Sequence, residues 1–401
     1  MKFKKTKIGL IPEDWEEIVL NSFIKEGKNY SNDKNIAFGS LTIEYGIIEK
    51  PPQYNREHLV KNSKNPYKII KYGDFVYNPM NLRFGALGLY KGNKPLKVSS
   101  YYNIFRVNTN IVDMNFMYYF LKSKRILHFY NRMATGSLEE KKRIHFRDFL
   151  KFSLPLPPLK EQQKIAEILS TCDEAIEKQE KLIKEKEKLK KGLMQRLLKV
   201  EGKKREPKVR FKEFSGEWVD VDLEGLVNSR DILLGRGEVI SKKDIENIKG
   251  NYPIYSSSTK NNGLFGYYGK YMFDEELITW SIDGGGDFFY RPKHKFSITN
   301  VSGFIKVLKK GKINTYFLAL ILQYKKQFLH FDYQSKAHPS VIKKLYKFYI
   351  PPTLKEQEKI ADVLLTIDKE INLLKLELNE LKKQKKALMQ KLLTGKVRVR
   401  V

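Results

Sequence analysis

The side chains in this 401-residue chain that could do covalent or metal chemistry are few and scattered. The six histidines, His58, His128, His145, His294, His330 and His338, form no HxxxH or HExxH pair, so a metal site is not expected. Cys172 is the single cysteine, which leaves neither an intrachain disulfide nor a zinc finger. It falls in an apolar stripe, where it reads as a small packing residue rather than a nucleophile. No phosphate loop of the form GxxxxGK followed by Ser or Thr occurs. The run Ser281-Ile282-Asp283-Gly284-Gly285-Gly286-Asp287 invites comparison with a phosphate cradle, but it lacks the strand–GxGxxG–helix setting and reads better as a flexible recognition loop. No Asn-Pro-Pro-Tyr tetrapeptide of the adenine-methylating kind is present, and Asn78-Pro79-Met80-Asn81 is no substitute for one.

What remains is the chemistry of contact. Tyr77, Asn78, Asn81 and Arg83 follow a strand-like run; the two amides suit adenine edges and the guanidinium suits guanine. The alternative is a hydrated turn in which Arg83 pairs with a carboxylate. Lys141, Lys142 and Arg143 cluster after Gly136, as a phosphate clamp or a solvated helix end. Further along, Lys260, Asn261 and Asn262 close a polar loop that begins at Ser256. Arg291 follows Phe288-Phe289-Tyr290, and Lys336 and His338 sit in the stretch Gln334–His338.

Such groups want a polyanion, and the charge balance supplies the motive. Lys plus Arg number 76 against 46 Asp plus Glu, a formal net charge of +30. Residues 1–150 carry 26 basic against 14 acidic side chains, and residues 207–347 carry 23 against 15. Nucleic acid is the simplest partner, an anionic membrane surface the weaker one. No apolar run approaches the ~20 residues that span a bilayer. The opening MKFKKTKIGLIPEDWEE lacks the apolar centre of a secretory signal. A reducing, cytoplasmic setting is expected.

The elements that must position these loops are legible as a repeat. LKEQQKIAEILSTCDEAI from Leu159 returns as LKEQEKIADVLLTIDKEI from Leu354, an offset of 195 that holds without a gap to Leu198 and Leu393. PLPP precedes the first copy and IPPT the second, which places proline where a helix start tolerates it. A fainter echo joins IPEDWEEIVL, with Trp15, to FSGEWVDVDL, with Trp218. In the second copy a 4-3 spacing selects Ile360, Leu364, Ile367, Ile371, Leu374, Leu378, Leu381, Lys385, Leu388 and Leu392, a coiled-coil seam. In the first it selects Ile165, Leu169, Cys172, Ile176, Gln179, Ile183, Lys186, Lys190, Leu193 and Leu197, with a weaker, polar middle and one glycine, Gly192. Each helix would span ~58 Å. The simplest partner of one seam is the other; the alternative is two separate helices, each packed on its own unit. The segments ahead of the helices, rich in Tyr, Phe, Gly and Asn, read as mixed α+β units that share little beyond their ends.

Four stretches together, IGLIPEDWEEIVL at Ile8, LPLPPLKEQQKIAEIL at Leu154, IPPTLKEQEKIADVLL at Ile350 and ALMQKLLTGKVRV at Ala387, resemble the specificity subunits of type I restriction-modification systems. The resemblance covers the whole chain. It implies an α+β fold in which two mixed α/β target-recognition domains are separated by two long antiparallel coiled-coil helices, a pseudo-two-fold tandem duplication. The expected divisions are a first recognition domain over 1–153, a first helix over 154–200, a second recognition domain over 201–349, and a second helix with its tail over 350–401. It implies that each domain reads one half of a split target in double-stranded DNA. The coil would then set the spacing and recruit two methyltransferase subunits for adenine methylation, and restriction motor-nuclease subunits would add ATP-dependent cleavage. No catalytic residue and no cofactor are expected in this chain; S-adenosylmethionine, ATP and Mg would belong to partners. A different class of reading is a non-catalytic coiled-coil scaffold with nonspecific nucleic-acid binding.

Overall fold

The computed structural model describes residues 2–31, 33, 35–51, 67–201, 205–258, 260–331 and 336–400. The chain divides into two compact units, which cut across the expected boundaries. The first contains residues 1–180 together with 377–401, and the second residues 181–376. Each unit therefore owns part of both long helices, Leu159–Leu198 and Leu354–Leu392.

In the first unit an antiparallel sheet runs in the order Leu87–Leu89, Phe75–Tyr77, Asn103–Val107, Ile24–Glu26. The helices Met114–Leu121 and Lys124–Met133 join it in a core that includes Trp15, Phe105, Phe116 and Phe149. Polar residues at N-caps start both helices: Asp113 accepts from the Phe116 amide, and Ser123 from the Ile126 amide.

The second unit is built on a six-stranded sheet. Its order is Ile232–Arg236, Ser302–Val307, Phe273–Ser281, Phe288–Ile298, Tyr252–Tyr255, Leu264–Tyr268. All its neighbours are antiparallel except Tyr252–Tyr255 beside Phe288–Ile298. The apolar helix Thr315–Lys326 packs into the same core as Trp218 and Trp280, capped by Asn314. The domains thus differ in sheet size and order, yet their edges correspond. Glu16–Val19 pairs with Ser153–Leu156 just ahead of the first long helix, and Val219–Asp222 pairs with Lys347–Ile350 just ahead of the second.

The long helices run antiparallel within each unit. In the first, Asp173 pairs with Lys385, and Glu180 with Lys382 at 2.6 Å. In the second, Lys190 pairs with Asp368 and Glu187 with Lys375, both at 2.6 Å. An offset of 195 converts one set of pairs into the other. Ile165, Leu169, Ile183, Leu197, Ile360, Leu364, Ile367, Ile371 and Leu392 are buried. Cys172, Ile176, Leu193, Leu374, Leu378, Leu381 and Leu388 are half-buried. The polar seam positions do not interrupt the pairing. Gln179 donates to Glu377 at 2.9 Å, and Lys186 pairs with Glu370 at 2.7 Å. Gly192 remains inside the helix with open space where a Cβ would be. Among the described residues, no helix is long and apolar enough to cross a membrane.

Candidate nucleic-acid interface

Each globular part is seated on its long helix by two neighbouring polar residues of the repeated LKEQ. Glu161, 2% exposed, receives both Nε and Nη2 of Arg398 at 2.7 Å. Glu356, 1% exposed, receives Nε and Nη2 of Arg210 at 2.8 Å, and the Trp218 indole donates to it as well. Gln162 accepts from the Asp113 amide and donates to the Ile111 and Pro157 carbonyls. Gln357 repeats this with the Asn314 amide and the Lys312 and Pro351 carbonyls. The glutamines hold the capping residues of the two domain helices, so helix and domain are joined through fully engaged buried polar groups. Composition and apolar spacing miss these residues; their signal was the exact return of polar side chains at offset 195.

In the first unit the structure brings two groups of candidates together. Ile144 donates its amide to the Pro79 carbonyl, which lays the segment 135–143 beside the turn 78–83. Arg83 fastens them. It is 7% exposed, its Nη1 pairs with the Glu139 carboxylate, and its Nη2 donates to the Glu139 carbonyl at 2.6 Å. Lys142 reaches the same carboxylate at 2.6 Å. Hydrogen bonds from Lys142 and Arg83 hold the Glu139 carboxyl below its ordinary range. Arg83 is engaged here as a bracket between the two segments, paired with a carboxylate as the alternative to a guanine reader has it. Tyr77 is likewise engaged inside the protein. It is 0% exposed, packed among Phe105, Phe146 and Phe149, because the strand Phe75–Tyr77 is covered on both faces. Asn81 and Lys141 are exposed, while Asn78, Lys142 and Arg143 are half-buried. The Asn78 amide oxygen is occupied locally by the Met80 N–H at 3.0 Å.

In the second unit three candidate segments converge at one end of the sheet. Arg291, 5% exposed, donates Nε to Thr279 Oγ1 at 3.0 Å and Nη2 to the Asn262 carbonyl at 2.7 Å. Its guanidinium lies 3.6 Å from the centroid of the Tyr255 ring. Burial pulls its pKa down to about 10, so it stays charged near neutrality. Like Arg83 it is engaged inside the protein. What it holds is the tip of the loop. Asn261 and Asn262 are exposed at φ 50° and 52°, in the left-handed region that few side chains adopt. Ser281 donates to the Ser257 carbonyl at 2.8 Å, and Ala337 donates its amide to the Ile282 carbonyl at 3.0 Å. Lys336 pairs with Asp283 at 3.1 Å, and His338 caps the helix Pro339–Leu345. The glycine run joins two strands as a hairpin, with no helix N-terminus to receive a phosphate. The side chain of Lys260, and Gln334, Ser335 and His58, lie outside the described residues. Among the described residues no cluster of His, Cys, Asp or Glu could hold a metal ion.

Two exposed polar surfaces on a duplicated frame are thus what the chain offers to a partner, and known proteins share the frame. The type I restriction modification DNA specificity domain matches twice, over residues 12–186 and 215–383. A Methanocaldococcus jannaschii chain described as the specificity subunit of type I restriction enzyme MjaX is 29% identical, over 99% of this chain and 97% of its own length. A type I specificity subunit described for Mycoplasma pneumoniae is 40% identical over 157 residues, 38% of this chain and 42% of its own. The crystal structure of the S subunit of an M. genitalium type I restriction-modification system superposes with a TM-score of 0.63 at 17% identity, over 95% of this chain and 96% of that one. The repeat, the two dissimilar domains and the antiparallel helices converge on one conclusion: this chain belongs to the family of type I restriction-modification specificity subunits.

Proposed function

We propose that each globular domain reads one half of a bipartite sequence in double-stranded DNA, and that the paired helices set the distance between the halves. The observation that carries this reading is the contrast within the duplication. The frame repeats its buried Glu–Arg and Gln–backbone joints, while the loops it carries differ: Asn81 and Lys141 on one domain, Asn261 and Asn262 on the other. Different loops on equivalent mounts are what reading two different half-sites requires. Phosphate contacts from the basic surplus would supply affinity, and the amides at the loop tips sequence. The chain carries no chemistry in this reading. Two methyltransferase subunits would bring S-adenosylmethionine for adenine methylation, and restriction subunits would bring ATP- and Mg-dependent cleavage.

The test is to co-produce the chain with the methyltransferase subunits of its host and map methylated adenines across a genome. A split motif, with two fixed half-sites around an unread gap, is expected. Methylation without a motif, or an unbroken one, would defeat it.

A further inference from the structure

In each unit one hydroxyl, one carboxylate and one ammonium meet where a domain helix touches the long helices. Tyr119, buried on the helix Met114–Leu121, donates to Asp173 Oδ2 at 2.7 Å, with Ser170 Oγ 3.3 Å away. Lys385 of the returning helix pairs with Oδ1 of the same aspartate, its ammonium 5.2 Å from the Tyr119 ring centroid. In the second unit Tyr316, buried on the helix Thr315–Lys326, donates to Asp368, and Lys190 pairs with Asp368 at 2.6 Å. Burial pushes both phenols well above their ordinary pKa, so they stay protonated donors.

The aspartates and the lysines are each 195 residues apart, but the tyrosines belong to domains of different sheet order. One joint therefore recurs where the folds around it do not match. Its lysines stand at seam positions, where an apolar side chain would pack without desolvating a charge. A polar residue at such a position selects one register of two helices at a cost in stability. Here the residue that satisfies it, the aspartate, also holds the tyrosine of the domain. The setting of the domain on the helices is thereby tied to the register of the helices themselves.

We propose that Tyr119–Asp173–Lys385 and Tyr316–Asp368–Lys190 are orientation locks, which fix the angle at which each recognition domain is held and so restrict the length of the gap accepted between half-sites. The proposal rests on the bipartite reading above. These are positioning residues and touch no base.

The full chain, assembled with its methyltransferase subunits, is offered duplexes carrying both half-sites at gaps differing by one base pair, and adenine methylation is measured. The wild type should select one gap. Tyr119→Phe with Tyr316→Phe should weaken the preference for that gap over its neighbours by roughly tenfold, with the half-site sequences unchanged. Lys190→Met with Lys385→Met removes the ammonium partner of two partly exposed aspartates, so this variant should melt somewhat lower than the wild type but stay folded, and accept more gaps. It carries the test if the phenylalanine variant fails to fold. Unchanged gap selection in folded variants would overturn the locks and leave the bipartite reading standing. Wild-type methylation that ignores the gap would overturn that reading, and the locks with it.

Discussion

Arg398 and Glu161, 237 positions apart in the chain, form a two-point ion pair at 2.7 Å, with Asp14 on the far side of the same guanidinium. Arg210 and Glu356 form its counterpart at 2.8 Å. Removing the arginine in either case strands a buried carboxylate. Arg398→Ala should cost about 3–5 kcal/mol, and adding Glu161→Gln should recover part of it by removing the stranded charge. Thermal unfolding of the single and double variants checks this; equal losses in both would mean that the pair contributes through packing alone.

The bracket and the tip should behave differently. Arg83→Ala removes a buried joint between the two loops of the first unit, so it should lower stability by about 1–3 kcal/mol and weaken binding to every sequence alike. Asn261→Gly keeps a left-handed backbone without the amide. It should leave the melting temperature nearly unchanged while discrimination at one base pair falls by about 1–3 kcal/mol. Binding across a library of half-site variants measures both. Relaxed discrimination at a single position with Arg83→Ala would return that residue to the reading surface.

Acid sensitivity should trace in part to Asp231. Burial pushes its carboxyl up, but hydrogen bonds from Lys309 and Lys312 outweigh this and hold it at about 2. A carboxyl depressed from the ordinary ~3.9 stabilises the fold fully above that value and loses this contribution as pH falls through about 2. The stability difference between wild type and Asp231→Asn should therefore be constant at neutral pH and shrink progressively from pH ~4 downward. Melting curves over that range would show it, and a difference unaffected by acid would remove the ion pairs from the account.

Salt is the simplest probe of the basic surplus. With 26 against 14 charges over residues 1–150 and 23 against 15 over residues 207–347, DNA binding by the assembled complex should fall steeply and log-linearly with ionic strength. Replacing exposed Lys141 by Ala should reduce the slope by about one unit without changing the preferred sequence. A slope unmoved by Lys141→Ala would place that side chain away from phosphate.

The frame was legible in the sequence because apolar spacing and a gapless repeat are local patterns. The two helices and their seam residues follow from those patterns. What local patterns hide is the partner of a charge. Lys190 and Lys385 read as weak points of a seam, yet their aspartates lie 178 and 212 positions away. Glu161 and Glu356 lie in the first turns of the long helices, and their arginines come from segments that follow the other long helix. Arg83 and Arg291 carry the donors that bases want, but nothing nearby in sequence announces Glu139 or the Asn262 carbonyl beneath them. The left-handed backbone at Asn261 and Asn262 agrees with their residue type, because asparagine in a polar run tolerates the conformation that a tight tip needs.

The way residues 377–401 complete the first unit also orders its birth. The second unit is one continuous stretch, 181–376, whereas the first is split around it. On the ribosome, residues 1–180 emerge first but wait for Leu392, Leu393 and Arg398, and for Gly395, which packs against Pro12 and Trp15. Domains fold as units when all their residues are available. The stretch synthesised in the middle is thus the first able to close, and the domain begun first is the last to finish. A nascent chain interrupted after residue 376 would carry one finished unit and one with an open core.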